Sequence, residues 1–464
     1  MRSAWGVGLV YWPALHALAH DHPDIAVLEV EPQGYWRPDA GSAHGYRIDR
    51  QALDAICAIG KPTVMHSVGM PLADAAGLDA DQVALLRETA AVLQPAWASE
   101  HLSFNRYRRQ GAWAHAGFLL PPDLSPASAS VAAANLQALS QALDLPVAGE
   151  TGVNYLPANG TESAEGDFFA AVATQSDGGL LIDLHNLWCD QVNGRASLAA
   201  TLSRLPLDRV WEVHIAGGWS LDGVWLDAHG GPAPEEIEAT LVALLPKLAN
   251  VRSVVFEVLP DHLDRVGLDA VAAQIERLAK IWKRAKGATP PLPAPQMPAR
   301  RTPQPAPEQY EACAAHQDAL VARIAAARPG DPIGLQVYAT LIRDLRASFV
   351  AQQLRHTLVL LMLALGEDGA RGLLDAYAAQ APAQPTAEAE ALGFADFLSG
   401  QRIDTPYRAQ ILAVERAGIA AKTSGVGREI VVEADAAELF AALGEPRLPD
   451  ARARGRSIVA LEPV

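Results

Sequence analysis

Short apolar runs alternate with longer amphipathic stretches along about the first 285 residues of the chain. The short runs are rich in β-branched residues, as strands are, whereas 79–94 and 128–143 carry apolar residues at helical spacing. Eight strand–helix alternations favour a closed (β/α)₈ TIM barrel over a doubly wound sheet. We place the strands at 6–11, 25–30, 62–66, 97–101, 146–150, 179–183, 209–214 and 253–257.

A proline-rich segment at 287–308 interrupts this pattern, because proline at that density cannot continue a helix or a central strand. It predicts a barrel domain at 1–286, a linker at 287–308 and a second domain at 309–464. The second domain reads as mainly α-helical, with one helical pattern over 332–365 that ends in an apolar run typical of a buried helix. Its tail predicts a small β element with strands at 428–435 and 456–464.

Composition narrows the function classes. The formal charge of −16 disfavours nucleic acid as a partner, because attraction to phosphate dominates that affinity. No apolar run reaches the roughly 18 residues of a membrane span, and the N-terminus does not resemble a signal peptide. Three cysteines without paired or CxxC spacing suit a reduced cytoplasm and disfavour a thiolate zinc site.

Side chains that bind metals follow six successive predicted strands. Any one such histidine is commonly a structural residue, but scattered residues would not keep this phase. The ends of parallel barrel strands meet at one rim, and carboxylates gathered there need cations, shared protons or a basic partner. No Lys or Arg accompanies them in these motifs, so the pattern indicates a metal centre formed by His66, His101, Glu150, Asp183, His214 and Glu257.

Further donors lie in the loops. Asn186, three residues after Asp183, suits either a metal ligand or the N-cap of a following helix. Asp227 and His229 form a D-x-H pair that can grip one ion, and we read them as ligands. Nine candidates exceed one coordination sphere and suit two or three ions. Nitrogen and oxygen donors without thiolate allow iron, manganese or zinc.

Weaker candidates surround this set. His115, His185 and His262 read by default as substrate contacts or solvated loop histidines. Glu29 and Glu31, near the end of the second strand, are either acceptors that orient ligand histidines or solvated carboxylates.

The ordered motifs resemble a known family over roughly residues 4–285. These motifs are H-S-V-G (66–69), S-E-H-L-S (99–103), N-Y-L (154–156), D-x-x-N (183–186), V-H-I-A-G (213–217) and D-x-H-x-x-P (227–232). By them the chain is similar to the multinuclear non-heme iron-dependent oxidative enzymes of the MbnB and TglH type, which modify ribosomally made peptides.

The resemblance implies a ligand arrangement and a reaction. His66, His101 and Glu150 would hold one iron, and Glu150 would bridge to a second. The second iron would be held by Asp183, His214 and Glu257, and the third by Asn186, Asp227 and His229. The expected reaction is O₂-dependent oxidation of a precursor-peptide residue, most of all cysteine, by rearrangement to a heterocycle or by excision of the β-carbon.

The segment 373–417 resembles, in its A-D-F-L and P-Y elements, the helical part of the family's separate partner proteins. A fused partner would recruit the peptide without a separate protein, and the terminal strands could add an edge for a leader peptide. The alternative is a stabilising or dimerising domain.

Two departures from the family pattern concern the substrate. Gly218 and Trp219 follow the His214 motif where many members carry another His, and Gly230 replaces a common Asp. Two other functions remain open. A multinuclear zinc hydrolase or isomerase would add a basic face or a strand-end lysine, and neither is visible. A catalytically idle scaffold would have a broken ligand ring, yet every position retains a competent residue.

Overall fold

The structure is a computed structural model that describes residues 5–158, 164–287, 292–299, 301, 304–449 and 455–461. Its strands are β1 Gly6–Val10, β2 Ile25–Val30, β3 Trp36–Pro38, β4 Tyr46–Ile48, β5 Thr63–Ser67, β6 Ala98–His101, β7 Phe104–Arg109, β8 Ala112–Leu120, β9 Val147–Glu150, β10 Gly179–Asp183, β11 Val210–Ile215, β12 Trp219–Leu221, β13 Val224–Leu226, β14 Ser253–Phe256, β15 Arg428–Val432 and β16 Ser457–Leu461. Its α-helices are α1 His16–Asp21, α2 Arg50–Ala58, α3 Ala80–Leu93, α4 Pro126–Leu143, α5 Glu165–Ser176, α6 Leu184–Val192, α7 Leu198–Leu202, α8 Glu235–Leu244, α9 Leu263–Val266, α10 Leu268–Lys286, α11 Pro307–Ala325, α12 Ile333–Gln353, α13 Arg355–Gln380, α14 Ala387–Ser399, α15 Arg408–Ser424 and α16 Ala436–Gly444.

Eight parallel strands close into the predicted barrel, in the order β1-β14-β11-β10-β9-β6-β5-β2. Strand β1 pairs with both β14 and β2, which completes the ring. Each predicted strand is present, and its ends lie within one residue of the prediction. The TIM-barrel prediction is therefore confirmed.

An apolar layer fills the N-terminal half of the barrel interior. Trp97 is fully buried in it, and its indole Nε1 donates to Glu212 Oε2 at 2.9 Å. This half is packed with side chains and leaves no room for a site. The polar residues predicted as metal ligands lie at the C-terminal ends of the strands. The layer consists of Val27, Val64, Trp97, Ala148, Leu181 and Trp211.

The chain forms two compact units whose boundary differs from the predicted one at residue 308. Unit 1 comprises the described parts of Met1–Trp36, Ile48–Arg108 and Leu119–Val337, and unit 2 those of Arg37–Arg47, Arg109–Phe118 and Tyr338–Val464.

Helix α11 belongs to unit 1, because its polar side chains bind barrel loops. Arg108 Nε lies 2.9 Å from Asp318 Oδ2, and Gln317 Nε2 donates to Ala73 O at 3.0 Å. The proline-rich residues before α11 also bind unit 1, since Arg252 Nε donates to Pro293 O at 2.8 Å.

Unit 2 is mainly helical, with β15 and β16 as an antiparallel pair, as predicted. Its core contains Phe394 and Leu398. A buried ion pair joins Arg346 Nε and Glu390 Oε1 at 2.5 Å.

The helical pattern predicted over 332–365 is divided between two helices, α12 and α13, with a break at Leu354. Leu354 leaves helical geometry (φ −120°, ψ 42°), and the Glu415 carboxylate accepts the backbone N–H groups of His356 and Thr357 at the start of α13. The apolar run after this break is not fully buried, since Met362 is 47% exposed.

In the part of the chain that the structure describes, no single helix has the length and low charge needed to cross a membrane. Helices α12 and α13, bent by 111° from one another, pass that test only as a pair and only by length and composition.

Candidate metal centre

Strand register brings the predicted strand-end residues together. His101 lies opposite Glu150 across β6 and β9, and Asp183 lies opposite His214 across β10 and β11. His66 lies opposite Ser99 across β5 and β6. All of these residues belong to unit 1, at the C-terminal rim of the barrel.

The first donor group contains His66, His101 and Glu150, with ligand atoms within 4.8 Å of one another. Glu150 Oε2 lies 3.3 Å from His66 Nε2 and 3.0 Å from His101 Nε2. The outer nitrogens have their own partners: Ser99 Oγ is 2.8 Å from His66 Nδ1, and Glu100 Oε1 is 3.3 Å from His101 Nδ1. These partners turn both Nε2 atoms toward one point, as in metal sites with oriented histidines.

The second group contains Glu150, Asp183, His214 and Glu257. Glu29 Oε2 accepts a hydrogen bond from His214 Nε2–H at 3.0 Å. The Nδ1 lone pair of His214 then faces Glu150 Oε1 at 3.3 Å and Glu257 Oε2 at 3.1 Å. Electron pairs that face each other in this way call for a cation or a proton between them.

The third group contains Asp183, Asp227 and His229. His229 Nε2 lies 3.0 Å from Asp227 Oδ1 and 3.5 Å from Glu257 Oε2. Asn186 is buried beside them, and its Nδ2 donates to Thr151 O at 3.3 Å. Asn186 is not the helix N-cap: Asp183 caps α6, accepting from the backbone N–H of Asn186 at 2.8 Å.

Buried donor atoms without hydrogen-bond partners test whether this set fits a metal. Such atoms are rare in folded proteins, because each loses its hydration without replacement. They occur at six of the nine predicted positions and are spread over all three donor groups, so the set fits more than one divalent cation. At these positions they are Glu150 Oε2, Asp183 Oδ2, Asn186 Oδ1, His214 Nδ1, His229 Nε2 and Glu257 Oε2.

The electrostatics agree with a site built for cations. Burial raises the pKa of Asp183 well above its usual value, and the charges of Asp227 and Glu257 add to this. Burial alone would lower the pKa of His214, but Glu257 and Glu29 hold it well above its ordinary value. By the same balance, Glu150 and Glu100 raise the pKa of His101 to about 9. Without metal, protons therefore take the place of cations.

The weaker candidates separate into distinct environments. Glu29 is fully buried and binds His214, as expected of an orienting acceptor. His185 is also fully buried and lies 2.9 Å from Asp227 Oδ1, so the default of a solvated or substrate-contacting histidine is wrong for it. His262 packs edge-on against Trp219, with ring centroids 4.8 Å apart. His115 lies in unit 2, outside these groups.

The sequence analysis did not identify two buried glutamates near the donor groups, Glu100 and Glu212. Glu100 accepts from Ser67 Oγ at 2.6 Å, and Glu212 accepts from Ser253 Oγ at 2.7 Å. Glu212 also forms a fourth donor group with Glu29 and His214. The available signal was a carboxylate directly before the strand-end donor in S-E-H and two residues before it in W-E-V-H, where solvent exposure is not expected.

The two glycines that depart from the family pattern lie at close contacts of the rim. A Cβ at Gly218 would lie 2.0 Å from Leu226 O, so this backbone leaves no room for a histidine there. A Cβ at Gly230 would lie 2.3 Å from the Trp219 ring. Trp219 therefore rests on the D-x-H loop beside His229, and it is 37% exposed.

Comparison with known proteins places the chain in a family. Residues 4–280 match the family of the RiPP precursor modification enzymes MbnB/TglH/ChrH. A UPF0276 protein of Caulobacter vibrioides is 31% identical over 251 residues, which cover 53% of this chain and 85% of that protein. A UPF0276 protein of Streptomyces avermitilis is 32% identical over 192 residues.

The matched region spans only part of some relatives: 39% of the Streptomyces protein and 62% of a UPF0276 protein of Chromobacterium violaceum. Among solved structures, the IOLI protein with a bound zinc atom is 10% identical with a TM-score of 0.40, and the likeness covers 60% of this chain and 95% of that one. From the family match over most of unit 1, we conclude that the chain belongs to the MbnB/TglH/ChrH family of RiPP precursor modification enzymes.

Proposed function

We propose that this protein oxidises a residue of a ribosomally made precursor peptide, most of all a cysteine, with O₂ at a centre of two or three iron ions. One observation carries the proposal: six buried nitrogen and oxygen donors without hydrogen-bond partners converge at the rim of a barrel of this family. A thiolate-free set of imidazole and carboxylate suits iron, although it also admits zinc and manganese.

Each residue has a part in this proposal. His66, His101 and Glu150 would hold the first ion, and Glu150 would bridge to the second at Asp183, His214 and Glu257. Asn186, Asp227 and His229 would hold the third ion, with Asp183 within reach of it. Iron, when bound, supplies the redox chemistry and open positions for O₂ and a thiolate.

The chain's own residues orient this chemistry and keep it dry. Glu29 accepts a hydrogen bond from Nε2–H of His214 and so directs Nδ1 inward. The apolar layer around Trp97 excludes water from beneath the site. The rim loops with Trp219 and Gly230 lie beside His229, where a peptide side chain would enter.

The expected compartment is the cytoplasm, since all three cysteines are free.

We assign precursor recruitment to the helical C-terminal part, about 309–464. The outer face of β15 and β16 exposes Val431 (49%) and Ile458 (68%). Val431→Glu should weaken peptide binding at least several-fold without changing metal content. The control Val242→Glu, at a similarly exposed valine on α8 (42%), should change neither. Equal peptide affinity in both variants would remove the recruitment role.

The direct test of the reaction uses a short cysteine-bearing peptide encoded beside the gene. Iron-loaded protein, peptide and a measured amount of O₂ are mixed, and the peptide mass is followed with and without O₂. We expect a mass change that requires both iron and O₂. A change supported by zinc without O₂ would instead indicate the hydrolase or isomerase alternative.

A further inference from the structure

His185 is a fully buried histidine beside the centre that belongs to none of the four donor groups. Its Nδ1 lies 2.9 Å from Asp227 Oδ1, and its Nε2 lies 3.1 Å from the indole Nε1 of Trp225. The Trp188 ring stacks over it with centroids 6.1 Å apart. Every polar atom of this imidazole therefore has a partner.

The partners determine which nitrogen carries the proton. An indole N–H can only donate, so His185 Nε2 must accept from Trp225. Cys189 Sγ, 3.7 Å from the same nitrogen, is a second donor, because burial raises the pKa of its thiol and keeps it protonated. The proton of a neutral ring is then on Nδ1 and is donated to Asp227. This tautomer leaves no lone pair for a metal.

Asp227 is held at its backbone as well as at its side chain. Its N–H donates to Tyr155 Oη at 2.9 Å, while His185 binds Oδ1. The strand-end donors are fixed by the hydrogen-bond ladder of the barrel, but Asp227 and His229 lie on a loop that follows β13. The positions of Asp227 and His229 must therefore be fixed by side-chain contacts instead of by strand hydrogen bonds.

We propose that His185 is a positioning residue that fixes the Asp227 carboxylate for the third ion. The inference rests on the proposed metal centre and deepens it. The donated hydrogen bond occupies one lone pair of Oδ1 and sets the plane of the carboxylate toward His229 and Asp183. The third position consequently depends on His185. The first two do not, because their donors lie at the ends of β5, β6, β9, β10, β11 and β14.

A matched pair of amide variants tests this assignment. In His185→Asn the amide nitrogen lies near the place of Nδ1 and can still donate to Asp227. In His185→Gln the amide lies near the place of Nε2, which keeps the Trp225 contact and loses the Asp227 contact. Each variant is loaded anaerobically with Fe(II), desalted and analysed for ions per chain. His185→Gln should bind the third ion about 10- to 100-fold more weakly and His185→Asn should retain it.

Trp225→Phe offers a second variant, since it removes the donor that fixes the tautomer and leaves His185 in place. We expect a smaller loss of the third ion, with the first two retained. Repeating the count with Co²⁺ separates this inference from the iron proposal. If cobalt follows the same order while the iron-loaded protein shows no O₂ chemistry, only the oxidative function is refuted. Equal ion counts and affinities in His185→Asn, His185→Gln and the unaltered protein would overturn the positioning role.

Discussion

At the scale of single residues, the centre depends on side chains that bind no ion themselves. Glu29 is the clearest case, because it is fully buried and accepts a hydrogen bond from Nε2–H of His214. Glu29→Gln keeps the volume and removes the charge, which lowers the basicity of His214. We expect the second ion to bind about 10- to 100-fold more weakly, as measured by competition with a metal indicator.

Glu212→Gln is the matched control for that experiment. Glu212 is equally buried, but its hydrogen bonds go to Trp97 and Ser253 rather than to His214. Ion affinity should therefore change less than in Glu29→Gln. The orienting role of Glu29 is wrong if both variants lose affinity to the same extent.

Metal binding should release protons near neutral pH. In the metal-free protein the pKa of His101 is raised to about 9, so this histidine is protonated at pH 7 and must lose its proton to bind a metal. Affinity should therefore rise with pH, by about tenfold per pH unit for each proton displaced. Anaerobic competition for Fe(II) with a metal indicator at pH 6, 7 and 8 measures this. The same affinity at all three values would contradict it.

The candidate site was largely predictable from residue phase, and the supporting residues were not. His66, His101 and Glu150 were found because parallel strands end at one rim. The role of His185 was missed because it requires the D-x-H loop to fold back over α6, 42 residues away in sequence. No local pattern encodes such a contact.

At the scale of elements, helix α12 begins against the N-Y-L loop that supports Asp227. A Cβ at Gly334 would lie 2.0 Å from Tyr155 O, a backbone atom that cannot give way cheaply. Gly334→Ala should destabilise the fold by about 1–3 kcal/mol and weaken the third ion through Tyr155. Urea unfolding and ion counts measure both effects.

Gly372→Ala on α13 provides the comparison, because nothing lies within 4 Å of its added Cβ. Removing glycine from a helix there should stabilise the protein by up to about 1 kcal/mol. If the two alanine variants changed the free energy of unfolding in the same direction, the contact between Gly334 and Tyr155 would not determine stability.

The break between α12 and α13 shows why the ends of these helices could not be predicted from the sequence. Leu354 is apolar and fully buried, so the apolar spacing passes through the bend without interruption. The cap of α13 comes from Glu415, about 60 residues further along the chain. Spacing predicts which face is buried, but the turn is set by a distant contact.

At the scale of the whole molecule, the alternation of strands and helices was enough to predict a barrel, but not the division of the chain. Arg37–Arg47 and Arg109–Phe118 leave the barrel sequence and belong to unit 2, while α11 belongs to unit 1. The proline-rich segment marks the end of the barrel helices, not the boundary between the units.

Removing metal should destabilise unit 1. The converging donors of the metal-free centre repel one another unless protonated, and a ligand bound only to the folded state stabilises it by about 4 kcal/mol at a thousandfold excess over Kd. We expect a chelator to lower the melting temperature and Fe(II) to restore it in anaerobic calorimetry. An unchanged melting temperature would mean that the centre binds no ion tightly.

The most direct test of the central claim is Mössbauer spectroscopy, with metal analysis, of protein purified anaerobically and loaded with ⁵⁷Fe. The account predicts two or three irons per chain in nitrogen and oxygen environments, and O₂ uptake that depends on both iron and peptide. Stoichiometric zinc, with no iron-dependent O₂ consumption, would contradict it.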